Sequence, residues 1–214
     1  MIRLSTPRFQ PHFDVLEERC TPSATSKLLS APDAVCVVAN SAAANVDSHA
    51  VPFKLTGGGP APGGLPLFAL GSAPHQATGT ATHLGKYTGD GTFTLGSLNI
   101  SATGQVTGTF QGSFVFVAAN GDRLACTYGD GFSGTLTGQL SADGSAVLNV
   151  TFDAIFTPDP QNSTGRFANV TGGSFRMIAN SESVSLISNV PGFTAAFDYT
   201  WSGEGSLVFA KGKK

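Results

Sequence analysis

Apolar and polar residues alternate near the end of the chain, between residues 195 and 209. One parity is apolar and carries Ala195, Phe197, Tyr199, Trp201, Leu207 and Phe209, while the other is mostly polar and carries Asp198, Thr200, Ser202, Glu204 and Ser206. Successive side chains of a β-strand point to opposite faces, so this pattern predicts a strand with one buried and one solvated face.

Short segments of the same kind, separated by glycine-rich turns, fill the region from residue 76 to residue 210. Asn120-Gly121-Asp122 is a hairpin signal, because Asn and Gly accept the positive φ angles of tight hairpins. Residues 146–157 also alternate, which predicts Leu148, Val150 and Phe152 on one buried face. We therefore predict an all-β fold, a closed antiparallel barrel of about eight strands over residues 76–210.

The chain before residue 76 lacks this alternation. Residues 57–64 read Gly-Gly-Gly-Pro-Ala-Pro-Gly-Gly, a flexible composition that is incompatible with a helix. Residues 51–55 and 65–70 are apolar, but their prolines restrict them to sheet edges. We therefore predict a mostly irregular Gly/Pro/Ala-rich linker over residues 23–75, and a solvated basic tail over residues 211–214.

Composition excludes several classes of function. The chain has 12 basic and 14 acidic residues, and only 12% of its residues are charged. Because binding to nucleic acid needs clustered Lys and Arg, we predict no nucleic acid partner. The sequence contains no run of 18 apolar residues, so no membrane-spanning helix is predicted either. Low charge together with abundant Ser, Thr and Gly is typical of extracellular β-domains.

The three cysteines allow at most one disulfide. Cys126 shares its parity with Leu124 and Tyr128, which predicts a buried, unreactive thiol. Whether Cys36 pairs with another cysteine stays open from the sequence.

Residues 8–23 contain Leu16-Glu17-Glu18-Arg19, followed by Thr21 and Pro22. This segment resembles the N-terminal leader of many exported proteins of planctomycete bacteria. The resemblance covers residues 1–22 and implies an exported protein, located at the cell surface or outside the cell.

Three glycine-rich motifs occur in order along the predicted barrel. They are GTATHLGKYT at residues 79–88, AANGDRL at residues 118–124 and STGRFANVTG at residues 163–172. Together they resemble the allene oxide cyclase-like and dirigent-like β-barrel family, including its bacterial members. The resemblance implies an eight-stranded antiparallel barrel, often oligomeric, so a homo-oligomer is expected. No motif matches the polar residues that plant members use in catalysis, so no catalytic role is carried over.

Five residues are candidates for ligand contact. Tyr128, Tyr199 and Trp201 share parity with apolar neighbours, and they either line a pocket or fill the core. His83 lies in the first motif, where it either bonds a turn or contacts a ligand. Arg166 either clamps an anion or pairs with a nearby acid. No group of residues has metal-ligand spacing, so we predict neither a metal nor a cofactor.

Three functions are compatible with these patterns. The first is a barrel that holds a small hydrophobic ligand in its mouth, without catalysis. The second, which rests on the family resemblance, is a cyclase or isomerase, and it requires a buried polar group inside the barrel. The third is a structural or adhesive surface module. The inward aromatic set, without a convergent polar group in the sequence, favours the first.

Overall fold

The computed structural model describes residues 48–62, 72–185 and 196–211, and these residues form an all-β fold. The strands in this part of the chain are β1 (Ser48–Ala61), β2 (Ser72–Ala81), β3 (Gly85–Ile100), β4 (Gln105–Ala118), β5 (Arg123–Tyr128), β6 (Gly134–Leu140), β7 (Ala146–Pro158), β8 (Val170–Ser185) and β9 (Phe197–Ala210). Two short 3-10 turns, Asp130–Phe132 and Gly165–Phe167, interrupt them.

The strands form a closed antiparallel barrel with eight strand positions. β5 and β6 share one position, because both pair with β4 on one side and with β7 on the other. β1 pairs with β9 along its whole length, from Ser48 opposite Ala210 to Ala61 opposite Phe197, and this pairing closes the barrel. The predicted fold class is therefore confirmed.

The barrel begins earlier in the chain than we predicted. All of β1 and the first residues of β2 lie within residues 23–75, so the prediction of an irregular linker is wrong for these residues. Several predicted segments lie outside the described residues, namely the leader at residues 1–22, the linker residues 23–47 and 63–71, and the tail residues 212–214.

The prolines of β1 are placed where they disturb little. β1 pairs with β2 only between Leu55 and Gly58. Pro52 and Pro60 lie on either side of this paired segment, where a missing N–H removes no ladder bond to β2.

β1 contains glycines because neighbouring groups occupy the space that a side chain would need at these positions. A Cβ atom on Gly57 would collide with the hydroxyl of Tyr87 and the carbonyl oxygen of Thr78, and would lie 2.9 Å from Nε1 of Trp201. Glycine runs suggest flexibility in a sequence, but here they allow buried rings to approach the barrel wall closely.

The interior of the barrel is packed with aromatic rings. Phe53, Phe114, Phe116 and Phe175 are fully buried, and their ring centroids lie within 6.3 Å of at least one other ring. Eight-stranded barrels have an interior just wide enough to be filled by side chains, and this one follows that rule along most of its length.

The predicted alternation of the last strand is confirmed from Phe197 onward, while Ala195 lies outside the described residues. Tyr199, Trp201 and Leu207 are buried, whereas Asp198 and Glu204 are exposed. The interior therefore receives the odd-numbered side chains of β9, and the polar parity faces solvent.

The predicted parity of β7 is correct from Val150 onward and wrong before it. Leu148 is 37% exposed and Val147 is buried, the reverse of our expectation. The β6–β7 register shifts between Thr137 and Gln139, and Asn149 has a positive φ of 51°. A β-bulge inserts an extra residue at this point, and the residues before it therefore change face.

The packing around Gly57 can be tested by adding a single methyl group. Gly57→Ala is expected to lower the free energy of unfolding by about 1–3 kcal/mol, because the wall and the rings must shift to admit it. Denaturant unfolding of the purified protein measures this loss.

Gly172→Ala is the matched control, because nothing lies within 4 Å of the Cβ it would add and its φ is not positive. We expect it to change the free energy of unfolding by no more than about 0.5 kcal/mol. Equal effects of the two substitutions would show that β1 does not pack against Tyr87 as described.

Candidate functional site

The aromatic filling of the barrel gives way to a pocket at one end. The pocket leaves about 60 Å³ in which the centre of a water-sized sphere can lie, and it opens to solvent on one side. Most of its wall is apolar and consists of Ala61, Ala73, Pro74, Phe93, Phe110, Phe152, Ala154, Phe156, Met177, Ala179 and Phe197. Four residues with polar atoms complete the wall, namely His75, Tyr128, Tyr199 and Trp201.

His75, Tyr128 and Tyr199 form a buried hydrogen-bonded cluster, which we call the His–Tyr cluster. His75 Nε2 lies 2.9 Å from the Tyr128 hydroxyl, and His75 Nδ1 lies 2.9 Å from the Tyr199 hydroxyl. The Tyr128 hydroxyl also lies 2.7 Å from the carbonyl oxygen of Thr92, and the Tyr199 hydroxyl 2.8 Å from that of Gln76. The cluster joins β2, β5 and β9 across the barrel.

The alternation of β2 turns His75 into the barrel. Ala73, His75 and Ala77 share the buried parity, while Pro74 and Gln76 are exposed. Glycines on the neighbouring strands leave room for the rings. A Cβ on Gly91 would lie 2.5 Å from His75 Nε2, and one on Gly112 would collide with the Tyr128 hydroxyl.

Burial sets the protonation states of the cluster. It lowers the pKa of His75 from 6.5 to about 4, and the negative charge of Asp90 opposes this shift only in part. Burial also raises the pKa of both tyrosine hydroxyls well above the ordinary value of 10. At neutral pH the cluster therefore consists of an uncharged imidazole between two uncharged phenols.

Trp201 belongs to a second, separate chain of hydrogen bonds. Its Nε1–H donates to the Tyr87 hydroxyl at 2.8 Å, and that hydroxyl donates to the carbonyl oxygen of Thr56 at 3.2 Å. Burial raises the pKa of Tyr87 to about 12, against the opposing effect of the Trp201 hydrogen bond. The indole ring thus faces the pocket while its polar atom is satisfied behind the wall.

The structure brings together three of the five candidate residues. Tyr128, Tyr199 and Trp201 are buried and line the pocket, so each of them both packs in the core and forms part of the pocket wall.

His83 and Arg166 lie elsewhere and are not among the residues that line the pocket. His83 is in the turn after β2 and has a φ of 67°. Arg166 Nε lies 2.7 Å from Oδ2 of Asp122, and its Nη1 donates to the carbonyl oxygen of His83 at 2.6 Å. Both residues link turns, which fits the structural alternatives that the sequence left open for them.

Sequence reasoning missed His75, the centre of the cluster. We placed this residue at the end of the predicted linker and began the first strand at Gln76. The signal that could have found it is the shared parity of Ala73, His75, Ala77, Gly79 and Ala81, which are small residues apart from the histidine. A lone histidine on the small parity of a strand indicates a side chain directed into a crowded interior.

Cys126 fits the prediction of a buried thiol. It is 2% exposed, and burial raises the pKa of its thiol with a further contribution from the charge of Asp159. A thiol in this state is a poor nucleophile.

Within residues 48–62, 72–185 and 196–211, no group of His, Cys, Asp or Glu side chains is arranged to hold a metal ion. In the same ranges, no helix has the length and apolar character needed to cross a membrane.

Comparisons of the chain with known protein families, with curated proteins and with solved structures found no match.

The chemistry available at the pocket is that of an uncharged site. In the part of the chain that the structure describes, every buried side-chain nitrogen or oxygen lies within hydrogen-bonding distance of a partner atom. A bound molecule therefore meets ring faces and methyl groups over most of its surface, with a neutral imidazole and two phenols as the polar features.

The burial of His75 predicts a specific dependence of stability on pH. The unfolded chain binds a proton at His75 near pH 6.5, whereas the folded chain binds it only near pH 4. The free energy of unfolding is therefore expected to fall by about 3 kcal/mol as the pH drops through this window. Denaturant unfolding measured at several pH values tests this.

His75→Leu serves as the control, because leucine does not titrate. The carboxylates with lowered pKa, those of Asp122, Asp143, Asp153 and Asp159, begin to lose their stabilising effect as the pH falls toward 3.8 and lose most of it below that value. These carboxylates are present in both chains, so the difference in pH dependence between wild type and His75→Leu reports His75. An unchanged pH dependence in the variant would contradict the burial of a neutral His75.

Proposed function

We propose that this protein binds a small, uncharged, hydrophobic molecule in the pocket at the barrel mouth. The observation that carries the proposal is the composition of the wall, where eleven apolar residues surround a few polar atoms that each lie within hydrogen-bonding distance of a protein atom. Apolar concave sites with a few fixed polar groups are the usual form of small-molecule sites in proteins.

The charges near the pocket favour an uncharged ligand. No Lys, Arg, Asp or Glu is among the lining residues, and His75 is neutral at neutral pH. An ion transferred from water into such a site would lose its hydration without gaining a partner of opposite charge. The charge of Asp90, which acts on His75 electrostatically, further disfavours anions.

An isomerase or cyclase of the allene oxide cyclase type is the second candidate. Such an enzyme needs a polar group inside the barrel, and the His–Tyr cluster is a buried, ionisable group at the pocket. This observation supports the candidate, although a site alone does not specify a reaction. Incubation with an unsaturated epoxide separates the two functions, since an isomerase returns a cyclic product of equal mass and a binding protein does not.

Binding can be tested with p-xylene, a small apolar ring. Isothermal titration calorimetry is expected to show saturable binding with one site per chain. Ala154→Leu should weaken this binding at least about tenfold, because Ala154 lines the pocket and the larger side chain fills it. Trp201 is the only tryptophan and lines the pocket, so its fluorescence gives a second readout.

Ile155→Leu provides the matched control. Ile155 follows Ala154 on β7, is 50% exposed and points away from the pocket. Its substitution should leave the affinity for p-xylene unchanged. Absence of saturable binding, or equal losses in the two variants, would contradict the proposed site.

A further inference from the structure

The His–Tyr cluster contains four close polar contacts. Two join the ring nitrogens of His75 to the hydroxyls of Tyr128 and Tyr199, each at 2.9 Å. The other two join these hydroxyls to the carbonyl oxygens of Thr92 and Gln76, at 2.7 and 2.8 Å. Each contact is short enough for a hydrogen bond, and each hydrogen bond requires one hydrogen.

The cluster has only three hydrogens for these four contacts. Each tyrosine hydroxyl carries one, and a neutral imidazole carries one on either of its two nitrogens. Carbonyl oxygens can only accept. An imidazolium would supply a fourth hydrogen, but burial keeps His75 in its neutral form. In every arrangement, therefore, two acceptor atoms face each other across one of the four contacts.

We propose that the ligand of this pocket is an apolar molecule with a single neutral hydrogen-bond donor, a hydroxyl or an N–H, and that the His–Tyr cluster accepts its hydrogen. This inference rests on the proposed function, because it names the class of ligand for the same pocket. The donor bonds to the ring nitrogen of His75 that carries no hydrogen, once the tyrosine hydroxyl that lies 2.9 Å from this nitrogen has moved aside, while both tyrosine hydroxyls donate to the carbonyls of Thr92 and Gln76.

An acceptor-only ligand gains nothing from the cluster. An ether or a ketone brings a further lone pair to a site that is already short of hydrogen, and so faces the same repulsion as the protein atoms. The preference for donors is therefore a property of the cluster and is separate from the hydrophobic attraction of the wall.

The test compares p-cresol, which has a hydroxyl donor, with 4-methylanisole, which has the same ring and oxygen but no donor. Calorimetric titration gives the ratio of their dissociation constants for the wild-type chain and for His75→Leu. We expect the wild-type ratio to favour p-cresol by about tenfold more than the variant ratio, since one net hydrogen bond is worth about that factor. Comparing ratios cancels the different hydration of the two probes.

Removal of His75 abolishes the need for a fourth hydrogen, because the two hydroxyls then suffice for the two carbonyls. Tyr87→Phe is the matched control, since Tyr87 is a buried, hydrogen-bonded tyrosine that is not among the pocket-lining residues. This variant should keep the wild-type ratio. If His75→Leu does not fold, His75→Met replaces it, because the flexible methionine side chain adapts to irregular spaces.

Equal ratios in wild type and in the His75 variant would overturn the donor preference while leaving the pocket intact. Failure of p-xylene, p-cresol and 4-methylanisole alike to bind would instead overturn the proposed function, and the ligand class with it. A selective loss of the p-cresol preference in the His75 variant, with Tyr87→Phe unaffected, is the result that the proposal requires.

Discussion

A barrel of eight strands leaves little interior space, so a polar atom buried inside it destabilises the fold unless a polar partner lies beside it. His75, Tyr128 and Tyr199 are partners of this kind for one another, through contacts of 2.9 Å that cross the barrel from β2 to β5 and β9, although the cluster has one hydrogen too few for all of its contacts. The arrangement has two consequences. It fixes three strands relative to one another at the barrel mouth, and it keeps an ionisable side chain neutral beside an apolar pocket.

The same lack of space explains why glycines occur inside the strands. Gly57, Gly91 and Gly112 leave the wall open where Tyr87, His75 and Tyr128 approach it, and none of these glycines has a positive φ. These glycines are therefore needed for close packing of the rings against the wall, and not for chain turns. Phenylalanine rings fill the interior along most of its length. At the mouth the lining includes four small residues, which leave space for the pocket, namely Ala61, Ala73, Ala154 and Ala179.

The fold was predictable wherever side chains alternate without interruption, as in β9, where Tyr199 and Trp201 were correctly placed inside. It was missed in β1, although Val51, Phe53 and Leu55 share one parity, because the glycines at residues 57–59 have no side chain that could extend this alternation and the prolines argued against a central strand. Leu148 was misplaced because a single inserted residue reverses every preceding side chain, and the insertion leaves no mark in the sequence. The site was predicted only in part, since parity places Tyr128 and Tyr199 inside but does not show that His75, 53 and 124 residues away from them, lies between their hydroxyls.

The protonation state of the His75 ring is the most direct test of this account. Nuclear magnetic resonance of its two ring nitrogens, followed from neutral pH downward, distinguishes a protonated from an unprotonated nitrogen. The account predicts one nitrogen of each kind at neutral pH and a transition only near pH 4. Two protonated nitrogens at neutral pH, or a transition near the ordinary value of 6.5, would show that His75 is not held neutral and buried between the two tyrosines.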